Sequence, residues 1–80
     1  MAPVSVGGER FIAQQVEPGR WAVLDRRYQE LVGSAERSHE RSEQRASALN
    51  AASARFRVEG HQLGRKERDK LNADLQAMAG

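Results

Sequence analysis

The stretch RWAVLDRRYQELVGSAERSHERSEQRASALN, residues 20–50, decides the fold. Its first part, Arg20 to Asp25, alternates as a strand does, with Trp21 and Val23 on one face and Ala22 and Leu24 on the other. Arg26-Arg27-Tyr28-Gln29 turns the chain, and Glu30 to about Arg37 returns through Leu31 and Val32 as a second strand. Ser38 then reads as a helix N-cap. Its hydroxyl can accept a hydrogen bond from a free N–H of the first turn, and Glu40 meets the positive end of the helix dipole. Ser34 could cap instead, which would start the helix about a turn earlier.

Working outward, residues 1–9 read as a flexible arm or an edge strand, in which Val4 and Val6 alternate with Ser5 before Gly7 and Gly8 break the pattern. A strand is expected over about 10–16, with Phe11 and Ala13 on one face and Ile12 and Val16 on the other. Glu17-Pro18-Gly19-Arg20 is a type II turn sequence, because proline presets φ and glycine accepts φ > 0. The helix opened by Ser38 is predicted over about 39–54, on a narrow stripe of small residues: Ala46, Leu49, Ala52, Ser53 and Phe56. In Arg55 to Glu59, Phe56 and Val58 alternate with charged residues. That segment reads either as a short extended piece, a fourth strand, or as the fraying end of the helix, with the extended reading preferred. A last helix is predicted over about 65–79, with Leu71, Leu75 and Met78 on one face, Leu63 stapling its start, and Arg65–Asp69 and Lys70–Asp74 as i,i+4 pairs. The fold class is α+β: a three-stranded antiparallel meander, four-stranded if Arg55–Glu59 joins it, with two helices on one face. Residues 10–80 form one domain.

Eighty residues build a thin core. The absence of cysteine removes disulfides and thiolate chemistry, and points to a reducing, cytoplasmic setting. No signal peptide pattern opens the sequence and no run approaches a membrane span, so no membrane partner is expected. The net charge is only +2, but arginine outnumbers lysine 11 to 2. Guanidinium groups fork onto carboxylates and phosphates, although heavy Arg and Ala usage also fits a GC-rich coding bias.

No catalytic constellation stands out. His39 and His61 lack partners at metal-ligand spacing, no serine lies in a nucleophile elbow, and the acids are interleaved with arginines as salt-bridged surface. The chain therefore reads as a non-catalytic protein with no cofactor and no metal.

The positive signal is arginine. Arg41 and Arg45 lie along one side of the helix, and Arg37 joins them if the helix starts near Ser34. Like charges four residues apart repel, so a row of three suggests an anionic partner. Arg26, Arg27 and Tyr28 at the hairpin tip could extend the same surface. The competing reading is a solvated face on which Glu36, Glu40 and Glu43 pair locally. Trp21 in mid-strand reads as core, whereas Tyr28 in the turn reads as exposed. The meander is apolar on both faces, so the side without helices would take a second copy as a homodimer, or be covered by the arm through Val4 and Val6.

The hairpin Trp21-Ala-Val-Leu-Asp25, the return strand Glu30-Leu-Val-Gly33, the cap Ser38 and the segment Ala46-Ser-Ala-Leu-Asn50 resemble a type of short phage and plasmid protein. The likeness covers about thirty residues. Some small phage proteins of this kind, anti-CRISPR proteins among them, bind and block a host nucleoprotein complex. The resemblance implies an inhibitor of a host defence complex, acting in the host cytoplasm on a protein or ribonucleoprotein partner. On that reading Arg26, Arg27, Tyr28, Arg37, Arg41 and Arg45 are the partner-binding residues. The alternative is a small nucleic-acid-binding regulator or recombination accessory protein.

Overall fold

Three antiparallel strands in the order β1-β2-β3 carry two helices on one face in the computed structural model, which describes residues 9–79. The strands are β1 (Phe11–Glu17), β2 (Arg20–Asp25) and β3 (Glu30–Glu36), and the helices are α1 (His39–Val58) and α2 (Arg65–Ala79). The arm with Val4 and Val6 lies outside the described residues.

Register explains which residues meet the helices. Phe11 pairs with Asp25, Ala13 with Val23, and Val23 with Val32. These side chains share the face against which α1 packs, with its buried residues Ala46, Leu49 and Ala52. Ile12, Leu24 and Leu31 pair across the opposite face, where Leu31 remains 47% exposed. Gly19 has φ +76, as the third position of a type II turn demands. Such a turn twists against the strands, and the register shifts beside it, between Gln15 and Glu17.

Ser38 caps α1 as read from sequence, accepting a hydrogen bond from the Arg41 N–H at 3.0 Å. The extended reading of Arg55–Glu59 is corrected, since α1 continues through Val58 with Glu59 as its C-cap. The N–H of Gly60 bonds the Arg57 carbonyl and that of His61 bonds the Phe56 carbonyl, which is a Schellman motif. Gly60, at φ +102, holds the left-handed position that this motif needs, and the Phe56 and His61 rings meet at 4.9 Å behind it. The alternation around Val58 misleads because Val58 is 86% exposed and belongs to no sheet. Gly64 immediately precedes helix α2, its N–H donating to Glu67 Oε1 at 2.9 Å, and Leu63 before it is buried in the core. Lys70 and Asp74 pair as expected, but Arg65 reaches Glu30 at 3.3 Å and not Asp69.

Between Val23 and Trp21, β3 runs from Val32 to Glu36, a bulge that begins at Gly33. Gly33 has φ +77, and a Cβ there would lie 2.4 Å from Asn72 Nδ2 and 2.8 Å from Arg45 Nη2. The bulge therefore lets side chains of α1 and α2 close over β3. Gly33→Ala should cost about 2–4 kcal/mol, the left-handed penalty plus overpacking. Gly19→Ala meets no atom within 4 Å and should cost only about 1 kcal/mol. Urea denaturation of the two variants measures the difference.

Candidate anion-binding cleft

The hairpin end of β2 and β3 is built around a buried carboxylate. Asp25 is fully buried at the end of β2. Arg10 donates to its two oxygens at 3.0 and 2.9 Å, and Arg68 Nη1 donates at 2.7 Å. The Arg27 N–H also donates to Asp25, at 3.0 Å, which sets the first bend of the Arg26–Gln29 turn. Each arginine is itself fixed on a further side: Arg10 donates to the Leu63 carbonyl at 2.7 Å, and Arg68 to Glu30 at 2.7 Å. Tyr28, half-buried, lies among guanidinium groups, with those of Arg10, Arg27, Arg65 and Arg68 between 4.8 and 5.7 Å from its ring centre. Four cations around one half-buried ring make Tyr28 a packing plate for arginines, a different setting from the exposed ring expected in sequence.

Burial pushes the Asp25 carboxyl up, but the hydrogen bonds from Arg10 and Arg68 outweigh it and leave its pKa below the ordinary value of 3.8. Arg68 is likewise disfavoured as a cation by burial, and its bonds to Asp25, Glu30 and Asp69 raise its pKa above the ordinary arginine value. Both groups are charged in the fold.

A second buried cluster disposes of the arginine row. Arg45 is 4% exposed. It donates to Glu36, to the Val32 carbonyl at 2.9 Å and to Asn72 Oδ1 at 2.9 Å. Ser42 Oγ donates to the same Glu36 at 3.4 Å. Arg45 thus ties α1 to β3 and α2, and its assignment to a partner surface is corrected. Arg37 lies in the bend before Ser38, outside α1, because the helix starts at His39 and not near Ser34. Arg41 alone stays on the exposed side of the helix, 3.8 Å from Glu36. No row of three exists. Ser42, Arg45, Ala46, Leu49 and Ser53 form one helical stripe, and that spacing is the sequence signal that places Arg45 among buried residues against the reading of an exposed row.

The structure gathers a different set. A concave region of about 530 Å³ opens between the lead-in to β1, the hairpin end and the last turn of α1. Arg10, Arg26, Arg27 and Arg57 line it, with Glu9 as the one acid among the described residues there. Arg26 is placed by donating to the Glu9 carbonyl at 3.2 Å, and Gln29, at φ +57, bonds back to the Arg26 carbonyl at 2.8 Å. The sequence reading pointed to Arg26 and Arg27. It missed Arg57, because an extended 55–59 segment would have carried that side chain elsewhere. Among the described residues, no group of three His, Asp or Glu side chains converges as a metal site needs, and no helix is long and apolar enough to cross a membrane.

Fold and site together define a small α+β domain with an arginine-lined cleft at its hairpin end. The chain matches no family model, and no curated protein or solved structure is significantly similar to it.

Asp25→Asn leaves two buried guanidinium groups without their carboxylate and should destabilise the fold by about 3–5 kcal/mol. Because the folded-state pKa of Asp25 is depressed, its contribution is complete above about 3.8 and is lost as pH falls through the lower folded value. Denaturant titrations at decreasing pH should show a steep acid loss in the parent chain that Asp25→Asn lacks. Arg45→Ala should cost a similar 3–5 kcal/mol, and Arg41→Ala no more than about 1 kcal/mol, compared by thermal unfolding.

Proposed function

We propose that this chain is a non-catalytic binding protein of a phage or other mobile element, which docks on a host nucleoprotein complex and blocks it by occupying space. The observation that carries the reading is the convergence of Arg26, Arg27 and Arg57 on one concave surface, after folding has used Arg10, Arg45 and Arg68 internally. Arg27 and Arg57 are exposed and have no carboxylate at ion-pair distance among the described residues. Their like charges repel across the cleft, and an anionic partner would relieve that repulsion. A host defence complex of the CRISPR type, acting in the cytoplasm, presents both acidic protein surface and nucleic acid. The resemblance of the Trp21 hairpin and Ser38 helix to small phage proteins supplies the biological setting.

Pull-down of host type I effector complexes with the purified chain tests this. The parent should co-elute, and the double variant Arg27→Glu/Arg57→Glu, with unchanged circular dichroism, should lose at least about tenfold in capture, since charge-assisted contacts are worth roughly 1.5–3 kcal/mol each. Arg37→Glu, outside the cleft, should capture like the parent. Absence of co-elution by the parent, or capture indifferent to the double variant, would remove the reading.

A further inference from the structure

We infer that the cleft takes the phosphate backbone of a nucleic-acid strand. This rests on the cleft being the binding face and adds what it holds. Three observations favour phosphate over an acidic protein surface. Every described residue of the lining is polar or charged: beyond the arginines and Glu9 these are Gln29, Gln62 and Ser53. Protein partners are anchored by aromatic or aliphatic side chains in desolvated pockets, and the described residues of this wall provide none. Neutral amide and hydroxyl groups beside guanidinium forks are instead the donor set that phosphate and sugar oxygens use. The second observation is charge. Asp25 already neutralises Arg10, so Arg26, Arg27 and Arg57 against Glu9 leave the concavity positive. The third is size and openness. About 530 Å³, open to solvent, exceeds what a single oxyanion needs and has room for more than one phosphate.

The same geometry excludes reading of bases. Tyr28 is hemmed by guanidinium groups, and Trp21 stacks on His39 with ring centres 4.0 Å apart, away from the cleft lining. Neither ring is offered as a platform for an unstacked base. Binding is therefore through the backbone and indifferent to sequence.

Fluorescence anisotropy with the full chain and a labelled 20-nucleotide oligothymidylate tests the inference. With about three phosphates neutralised, log affinity should fall with log salt at a slope of about −2, roughly a 20-fold loss between 50 and 200 mM salt. Arg27→Gln/Arg57→Gln should reduce that slope to about a third and weaken binding tenfold or more at the lower salt. Arg37→Gln should leave both unchanged, and a mixed-sequence oligonucleotide should bind within about threefold of the first. No binding at 50 mM salt, or binding insensitive to Arg27→Gln/Arg57→Gln, would overturn it. If the oligonucleotide fails to bind while Arg27→Glu/Arg57→Glu still abolishes capture of the host complex, the partner surface is acidic protein. That overturns this inference and leaves the docking reading standing. Oligonucleotide binding through the cleft without host-complex capture sustains the inference and removes the host-complex reading.

Discussion

The Asp25 carboxylate has no access to water, and the two arginines that bind it come from before β1 and from within α2. Everything at the hairpin end depends on that meeting. Desolvation of a buried ion pair offsets most of its Coulombic attraction, so the cluster contributes position more than stability. Asp25 orients the turn through the Arg27 N–H, Arg10 pins the α1–α2 connection through the Leu63 carbonyl, and Arg68 ties α2 to Glu30. The arginine-lined cleft lies on the outer side of this clamp, with Arg10 shared between them.

A second constraint works at the other end of the sheet. The bulge at Gly33 lets Arg45 and Asn72 approach the backbone of β3, and Glu36 receives Arg45 there. Two buried guanidinium clusters thus fasten α2 to a sheet that α1 already covers. An 80-residue chain with small residues along its main helix has little apolar area to bury. Directional bonds supply the positional specificity that a larger core would give.

The strands and both helices were legible from alternation, the Pro18-Gly19 turn and the Ser38 cap, because those signals are local. At the end of α1, Phe56 and Val58 mimic strand alternation, although Gly60 carries the opposing signal of a Schellman position. The arginines were harder to place. Charge alone does not separate a guanidinium that meets Glu36 and Asn72 from one that meets solvent, and Asn72 lies 27 residues away from Arg45 in sequence. Arg57 joins Arg26 and Arg27 only once α1 is long enough to bring its last turn to the hairpin. Site assembly therefore depended on helix length and on long-range pairing, which no short window of sequence contains.

The arginines divide into those that hold the fold and those that line the open cleft. Nitrogen-15 NMR of the guanidinium Nε–H groups measures this division most directly. Arg10, Arg45 and Arg68 should give slowly exchanging signals, unmoved when an oligothymidylate is added, while Arg27 and Arg57 should exchange fast and shift together on titration. Rapid exchange at Arg45, with shifts shared by Arg37, Arg41 and Arg45 and none at Arg27 or Arg57, would contradict the account.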